Sequence, residues 1–275
     1  PNAPTTTGLI TVRDANNTCR FDRNDSSFTI LQKTPKLLYP NGGETFNVNQ
    51  AVSITWDQSS YYSSNVRIEY SDNGGLTWNI ISSSYTTSYG SYSWTVPVPS
   101  QNVAQTNYLV KVSESTNLLR TDQSDNTFNI RKPVTLLTPN GGENFSVCNV
   151  VNIGSSVNYS GSSNWRYEYS LNNGASWTTL TTTTSPASYS WTTSTSHAST
   201  QALVRISHTS YPQLSDTSNA VFTIQPQNYI TVTAPNGGQM LTPGQTYLIT
   251  WTNIPDVSGA YNVSYLTSTG GLTIA

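Results

Sequence analysis

Apolar and polar residues alternate with a period of two in short segments along the chain. Examples are Val52–Trp56, Val66–Ser71, Ser91–Val96 and Tyr108–Ser113, which are rich in β-branched and aromatic residues and are separated by turns of Gly, Asn and Ser. Such alternation predicts half-buried β-strands. No segment combines a helix cap with an apolar stripe at i, i+3 and i+4, so the pattern predicts an all-β protein.

The same landmarks return along the chain. Pro40, Pro139 and Pro235 each begin a Pro-Asn-Gly-Gly turn, at intervals of 99 and 96 residues, and Trp56 and Trp251 each follow their proline by 16 positions. Repetition of this kind indicates tandem modules. We predict structural roles for the turn and tryptophan positions of the repeat, namely Asn41, Gly42, Gly43, Trp56, Asn73, Gly75, Trp78, Trp94, Trp177 and Trp191.

The repeat divides the chain into four parts. Residues 34–132 and 133–226 are whole repeats, here called unit A and unit B. Residues 1–33 match the last third of a repeat and are called the head segment, and residues 227–275 match the first half and are called the tail segment. We expect the four parts to belong to a longer tandem array.

Each whole repeat holds about seven short predicted strands, which is typical of a two-sheet sandwich of the immunoglobulin or fibronectin type III kind. The cysteine pair of antibody domains is missing, because Cys19 and Cys148 are the only cysteines and belong to different repeats. Packing around tryptophan, as in fibronectin type III domains, is therefore favoured, and two free thiols are expected. The short connectors contain proline, which predicts tandem sandwiches in a semi-rigid rod.

These motifs resemble a known family. The string Pro-Asn-Gly-Gly-Glu, an Ile-x-Trp strand, a Tyr-Ser-x-Asn-Gly-Gly-x-Thr-Trp hairpin and an acidic turn before Phe-x-Ile are similar to the tandem Ig-like repeats called PNGGE repeats. Such repeats occur in large secreted and cell-surface proteins of Bacteroidota-type bacteria. A weaker similarity is to the domain named from fungal cell-wall proteins. The resemblance implies a stalk of an adhesin or an appendage of an exported hydrolase.

Unit B departs from this pattern at one core position. Ser155 stands where unit A has the strand tryptophan Trp56. We expect Trp165 or Cys148 to fill the resulting gap.

The hairpin motif also resembles the Asp-box of sialidase-type propellers, with Asn73 and Asn172 at the Asp position. Asn and Gly favour the left-handed conformations of tight turns, so a structural hairpin is the favoured interpretation and a ligand role is the alternative. In the Pro-Asn-Gly-Gly turn, we expect Glu44 and Glu143 to accept hydrogen bonds from the neighbouring backbone or at the junction between repeats.

Acidic residues recur before each Phe-x-Ile strand. They are Asp22 and Asp25, Asp122 and Asp125, and Asp216 with Asn219. Calcium takes six to eight oxygen ligands, several of them carboxylates, and two carboxylates per turn fall short of that number. We therefore predict local Asx-type turns, with a calcium site as the alternative, and expect no metal and no cofactor.

Tyr61, Tyr62, Tyr85 and Tyr89 lie in polar loops of unit A. Tyrosine beside Ser and Asn is typical of adaptable binding surfaces and could stack on sugar rings. These four residues are therefore the candidate ligand contacts. The favoured interpretation is that they cap the sandwich.

The chain offers no catalytic constellation. His197 and His208 are its only histidines, and neither a metal-binding spacing nor a nucleophile motif is present. Glu69 and Glu168 occupy equivalent positions in different repeats, too far apart for a glycosidase pair. We predict a protein that is not an enzyme.

Composition narrows the function classes further. Charged residues make up 9% of the chain and the net charge is −2, so a nucleic-acid partner is not expected. No apolar stretch approaches the roughly 18 residues that a membrane span needs. The Ser-, Thr- and Asn-rich composition favours an exported protein.

We predict a structural or adhesive stalk segment of a large secreted protein at a bacterial cell surface. Its expected partners are neighbouring repeats of the same longer chain and, as further options, surface glycans or a surface or secretion assembly. One alternative is a carbohydrate-binding accessory region of a secreted hydrolase. Another is an exported passenger captured in a secretion or surface assembly.

Overall fold

The structure is a computed structural model that describes residues 5–30, 33–226, 230–253, 261–267 and 270–273. In these ranges the regular structure is β-strand, apart from 3-10 turns at Gln58–Ser60, Thr87–Tyr89 and Thr195–His197. None of the described residues forms a helix long and apolar enough to cross a membrane. The prediction of an all-β protein is confirmed.

The strands are numbered along the chain. The head segment contains β1 (Thr5–Gly8), β2 (Thr11–Arg13), β3 (Phe21–Arg23) and β4 (Phe28–Ile30). Unit A contains β5 (Leu37–Tyr39), β6 (Thr45–Phe46), β7 (Ala51–Trp56), β8 (Asn65–Ser71), β9 (Asn79–Thr86), β10 (Ser91–Thr95), β11 (Gln105–Glu114), β12 (Asn117–Gln123) and β13 (Phe128–Ile130). Unit B contains β14 (Val134–Thr138), β15 (Asn144–Ser146), β16 (Val150–Val157), β17 (Trp165–Ser170), β18 (Thr178–Thr183), β19 (Ser188–Thr192), β20 (Ser199–His208), β21 (Ser215–Thr217) and β22 (Phe222–Gln225). The tail segment contains β23 (Ile230–Ala234), β24 (Thr250–Asn253), β25 (Ser264–Thr267) and β26 (Gly270–Thr273).

Unit A is a sandwich of two sheets. One sheet has the strand order β10-β7-β5, and the other has the order β6-β13-β11-β8-β9, with β12 paired to β11. The pairs are antiparallel except for β6, which runs parallel to β13. Alternation along β7 buries Val52, Ile54 and Trp56, and these side chains pack with Trp94 and Phe128 in one core between the sheets.

Unit B has the same architecture. Its sheets have the orders β14-β16-β19 and β15-β22-β20-β17-β18, with β21 paired to β20, and β15 runs parallel to β22. Trp165, Tyr167, Trp191 and Phe222 lie in a second core that belongs to unit B. The two units are therefore tandem β-sandwiches of the immunoglobulin and fibronectin type III class, as predicted.

The head and tail segments reproduce strand pairs of the whole units. In the head segment β1 pairs with β4 and Gly8 lies opposite Phe28, just as Tyr108 lies opposite Phe128 between β11 and β13. In the tail segment β23 pairs with β24 in the way that β5 pairs with β7. The sequence repeat is thus also a repeat of strand register.

The acidic turn of unit A hydrogen-bonds to the beginning of the unit. A carboxylate oxygen of Asp122 accepts from the backbone N–H of Leu37 at 2.8 Å, and the buried Ser124 hydroxyl donates to the carbonyl of Pro40 at 2.9 Å. Unit B makes the same pair of bonds. Its partners are Asp216 with Leu136 at 2.8 Å and Ser218 with Pro139 at 2.9 Å.

Asp125 makes a second contact with the first turn of unit A. Its backbone N–H donates to the side-chain oxygen of Asn41, and the Asn41 amide donates to the Asp125 carboxylate at 2.6 Å. The prediction of local Asx-type turns is wrong for these residues, because the partners of Asp122 and Asp125 lie 85 and 84 positions away. The parallel pairing of β6 with β13 brings the two turns together, which no local pattern could indicate.

The Pro-Asn-Gly-Gly turn is held by the glutamate that follows it. Both carboxylate oxygens of Glu44 accept backbone N–H bonds, from Asn41 and from Gly42, each at 2.8 Å. Gly42 has φ 121°, and a Cβ there would lie 2.5 Å from the Cβ of Asn126, so only glycine fits. Glu143 binds its own turn in the same way, and the backbone role expected for both glutamates is confirmed.

Tyr167 replaces the missing tryptophan of unit B. In unit A the indole Nε1 of Trp56 donates to the carbonyl of Thr87 at 2.9 Å. In unit B the hydroxyl of Tyr167 donates to the carbonyl of Pro186, in the loop that precedes β19, at 2.7 Å and contacts the Ser155 hydroxyl at the same distance. A tyrosine on the facing sheet therefore takes over the hydrogen bond.

The two residues expected at that gap have other positions. Trp165 is buried beside His208, at a ring-centroid distance of 4.9 Å. Cys148 is exposed on a turn with φ 64°, so the expectation for this residue is wrong.

Substitution of Asp122 tests the closure of unit A. We expect Asp122→Ala to lower the free energy of unfolding by about 1–3 kcal/mol, because the N–H of the buried Leu37 loses its acceptor. Asp122→Asn, which keeps an acceptor oxygen, should lose less. Urea unfolding of the full chain measures both.

Two controls separate closure from metal binding. Asp72→Ala removes an exposed carboxylate in the same unit and should change stability by less than about 0.5 kcal/mol. A calcium chelator should leave the unfolding curve unchanged. If Asp122→Ala leaves the free energy of unfolding unchanged, or if the chelator shifts the unfolding curve, the closure described above is contradicted.

Candidate functional site

Two of the four candidate tyrosines are largely withdrawn from solvent. Tyr61 is only 5% exposed and belongs to the core of unit A, so the expectation of a surface ligand contact at this residue is corrected. Burial raises the pKa of its hydroxyl well above the usual value. Tyr85 is half-buried and packs edge-on against Trp56, with ring centroids 6.2 Å apart.

Tyr62 and Tyr89 remain at the surface, with 41% and 65% exposure. The Tyr62 ring lies under the guanidinium of Arg120 at 4.4 Å and under Nζ of Lys33 at 5.4 Å. Its hydroxyl accepts from the backbone N–H of Lys33 at 3.1 Å, and the Arg120 guanidinium donates to the Lys33 carbonyl at 2.7 Å. Tyr62 and Arg120 thus bind the connector that precedes unit A. The structure brings Tyr89 beside Tyr85, with ring centroids 5.5 Å apart.

The Asn-containing hairpin is a closed set of local hydrogen bonds. The hydroxyl of Ser71 accepts from the N–H of Gly75 at 2.8 Å, and Oδ1 of Asn73 accepts from the N–H of Thr77 at 2.9 Å. Ser170, Asn172, Gly174 and Ser176 repeat both bonds in unit B. The polar groups of the motif are therefore used within the turn.

The tryptophan of each hairpin covers a charged cluster on the outer face of the larger sheet. In unit A, Nζ of Lys111 lies 4.0 Å from the ring of Trp78 and 3.2 Å from the carboxylate of Glu69. Arg67 pairs with the same carboxylate at 2.6 Å, so a Glu that is only 5% exposed is neutralised by two cations. Unit B has the same cluster, formed by Trp177, Arg205, Glu168 and Arg166. We interpret it as a structural part of the sheet surface.

The junction between units A and B is the most developed polar site of the described structure. Its first element is Asn102, whose side chain reaches from unit A into unit B. The amide oxygen accepts from the N–H of Val134 at 3.0 Å, and the amide nitrogen donates to the carbonyls of Val134 at 2.9 Å and Ser215 at 2.8 Å. One side chain therefore binds two strands of the next unit.

The second element of the junction is a turn of unit A that pairs with unit B through one isolated parallel β-bridge, between Val48 and Tyr159. Val48, which is fully buried, donates to the carbonyl of Asn158 at 3.0 Å and accepts from the N–H of Ser160 at 2.8 Å. Asn49, at φ 60°, donates its side-chain amide to the Ser160 carbonyl at 2.8 Å. Tyr159, between these partners, packs against the cores of both units.

The connector itself is bound on the side of unit B. The Asn158 side chain donates to the carbonyl of Lys132 at 2.9 Å, and Nζ of Lys132 lies 3.2 Å from the carboxylate of Asp216. Backbone bonds, side-chain amides and a shared aromatic residue thus fix unit A to unit B. Asn49, Asn102 and Asn158 carry no motif in the sequence. The one available signal was that Asn49 aligns with Cys148 and Gly244, all three at positive φ.

Buried His208 lies at the end of unit B that faces unit A. It is 4% exposed and its ring packs against Tyr159, Trp165 and Tyr211, in tilted or edge-on geometry, at centroid distances of 4.9 Å each. Its Nδ1 accepts from the backbone N–H of Ser210 and of Tyr211, which fixes the neutral ring. Burial lowers the pKa of His208, and burial also lowers the pKa of His197 in the same unit.

The described part of the chain contains no group of three or more His, Cys, Asp or Glu residues that could hold a metal ion. The two cysteines, Cys19 and Cys148, are both exposed and unpaired. The contacts described above between units A and B come mainly from side-chain amides, backbone groups and an aromatic ring. Such groups bind and position, and the A–B junction is where they converge.

No family model matches the chain, and no curated protein sequence matches it. The similar solved structures have low TM-scores. The fibronectin(III)-like modules of CbhA from Clostridium thermocellum are 15% identical, with 70% of this chain and 95% of that chain covered and a TM-score of 0.24. The IG1+IG2 structure of DIP-gamma is 6% identical, with 71% and 99% covered and a TM-score of 0.27.

A longer immunoglobulin structure is also similar. The N-terminal four Ig domains of Dscam1 isoform 6.44 are 11% identical, with 76% of this chain and 56% of that chain covered and a TM-score of 0.25. The fold of units A and B is established by their own sheets and cores.

The buried histidine makes the stability of unit B depend on pH. Because the pKa of His208 is lower in the folded state, the unfolded chain binds a proton below about pH 6.5 that the folded unit does not. We expect the free energy of unfolding of unit B to fall as the pH is lowered from 7.5 to 5. His197, whose pKa is also lowered, contributes with the same sign.

Variants identify the source of this dependence. His208→Asn keeps an acceptor for the two backbone N–H groups and does not titrate, so it should flatten the slope of stability against pH, and His197→Asn should add a smaller effect. Tryptophan fluorescence during urea unfolding of the full chain measures the slope. If the double variant His208→Asn and His197→Asn keeps the original slope, the pH dependence of stability does not come from these two histidines.

Proposed function

We propose that units A and B are a stiff structural segment of a longer tandem array, which acts as a stalk or adhesive element outside the cell. The A–B junction carries this proposal. A flexible pair of domains needs only a connector, whereas here a side chain, a turn and the connector all bind unit B through defined hydrogen bonds. A segment of this kind sets distance and direction between the modules on either side of it.

The energies of the junction support stiffness. Asn102 makes three hydrogen bonds to unit B, and the Val48–Asn49 turn makes three more. Hydrogen bonds contribute roughly 0.5–1.5 kcal/mol each after exchange with water, so the set amounts to several kcal/mol. Tyr159 adds apolar contact with both cores. Bending at this junction would break most of these contacts together.

The surface chemistry supports the same proposal. The chain has a net charge of −2 and only 9% charged residues, and the polar groups of its hairpins are used in local bonds. The resemblance to PNGGE repeats of secreted and cell-surface bacterial proteins supports the extracellular location. The proposed partners are neighbouring repeats of the same chain.

Distance measurements across the junction test the proposal. Spin labels are placed on native Cys148 in unit B and on Ser84→Cys in unit A, with Cys19→Ser to remove the third thiol. Double electron–electron resonance on the full chain should give one narrow distribution of the distance between the two spin labels. The double variant Asn102→Ala and Asn49→Gly should broaden it at least twofold, because glycine keeps the positive φ but lacks the amide.

Asn79→Ala is the matched control, since it removes an exposed asparagine of unit A outside the A–B contacts described above. It should leave the distribution narrow. Thermal unfolding of each variant verifies that both units remain folded. A broad distribution in the chain with an intact junction would overturn the proposal of a stiff segment.

A further inference from the structure

Unit A carries two open grooves on the end that bears Tyr62. The narrower groove, of about 230 Å³, lies between residues 33–35 and 119–121. The wider groove, of about 620 Å³, is lined by Gln58, Ser59, Ser63, Ser64, Thr86, Thr87 and Ser88. Tyr62 with these two grooves is here called the Tyr62 surface.

The narrower groove corresponds to the place in unit B that binds Asn102. Pro35 aligns with Val134, two positions before the first core leucine of each unit, and Thr121 aligns with Ser215, one position before the closing aspartate. In unit B the backbone carbonyls of those two residues accept hydrogen bonds from the side-chain amide of Asn102. In unit A none of the described residues of a preceding module fills the same position.

The wider groove overlaps the place in unit B that binds the Val48–Asn49 turn. Its wall includes Gln58 and Ser59, which align with Val157 and Asn158 of unit B, and the carbonyl of Asn158 accepts the N–H of Val48. In unit B, Tyr159 bridges to Val48 of the preceding unit. Both grooves of unit A therefore occupy positions that the neighbouring unit fills at the A–B junction.

The connector is bound alike in both units. Arg120 of unit A donates to the carbonyl of Lys33 at 2.7 Å, and Asn158 of unit B donates to the carbonyl of the aligned Lys132 at 2.9 Å. A connector fixed in this way directs the preceding module toward the grooves.

We propose that the Tyr62 surface is the docking surface for the β-sandwich module that precedes unit A in the same chain, the module whose last strands are β1 to β4. The inference rests on the proposed function and names the partner of this surface. The groups that dock are uncharged. An asparagine side chain of the preceding module, equivalent to Asn102, enters the narrower groove, and a left-handed turn, equivalent to Val48–Asn49, enters the wider groove. Tyr62 is then a junction residue and not a glycan contact.

The test gives unit A a complete preceding module. Residues 1–30 are replaced by a second copy of residues 34–130, a unit with its own core. The product is called the extended chain. Thr34→Cys is introduced there in the original unit A, not in the added copy. The same substitution is made in the original chain, where Cys19→Ser removes the other thiol of the head segment. Thr34 is exposed, whereas the aligned Pro133 at the A–B junction is buried. We expect alkylation at position 34 to be at least tenfold slower in the extended chain.

Two references make the result specific. Native Cys148 and a Leu76→Cys variant, 84% exposed and in the hairpin turn, should react at equal rates in both chains. Asn102→Ala in the added copy should restore fast alkylation at position 34. Equal rates at position 34 in the two chains would overturn the proposal, and so would Tyr62-dependent binding of a glycan panel by the extended chain.

A second measurement needs no added module. Trypsin cleavage after Lys33 in the original chain should be slow, and Tyr62→Ala should accelerate it at least fivefold relative to cleavage after Arg23. Tyr89→Ala is the matched control and should have no effect. An unchanged rate in Tyr62→Ala would overturn the role of Tyr62. Neither measurement depends on the A–B distances, so failure here is distinguishable from failure of the stiff-segment proposal.

Discussion

The hydrogen bonds between the first turn and the last turn of each unit are the constraint on which the rest of the structure depends. Ser124 and Ser218 are buried and hold the carbonyls of the two prolines, while Asp122 and Asp216 hold the first core leucines. These bonds fix the short strand that runs parallel to the last strand of the unit. The sandwich then encloses its core, and its two ends acquire defined shapes.

A defined end is what allows one unit to bind the next. The Val48–Asn49 turn and Asn102 lie at one end of unit A, and Val134, Ser215 and Asn158 present backbone and amide groups at the facing end of unit B. Few of these groups are charged, so the junction relies on direct hydrogen bonds and aromatic contact. Such bonds are directional, and they suit a segment that maintains an angle between modules.

The unlike ends of units A and B show how one scaffold carries different chemistry. Where unit B has neutral His208 with Tyr159 and Tyr211, unit A has Glu114 paired at 3.0 Å with Arg120, whose guanidinium lies over the Tyr62 ring. Both clusters sit beside the connector that enters the unit. The backbone repeat is therefore kept while the residues that contact the connector vary.

Local pattern alone determined the strands, the two-sheet class and the hairpins, because alternation of apolar residues and Asn-Gly turns act over a few positions. It did not determine the partners of Asp122 and Asp125, the burial of Tyr61, or the substitution of Tyr167 for a tryptophan. Those outcomes depend on which strands become neighbours across as many as 85 positions of chain. The A–B junction was decided in the same way: Asn49, Asn102 and Asn158 are ordinary polar residues until the tertiary structure places backbone groups of another unit within 3 Å of them.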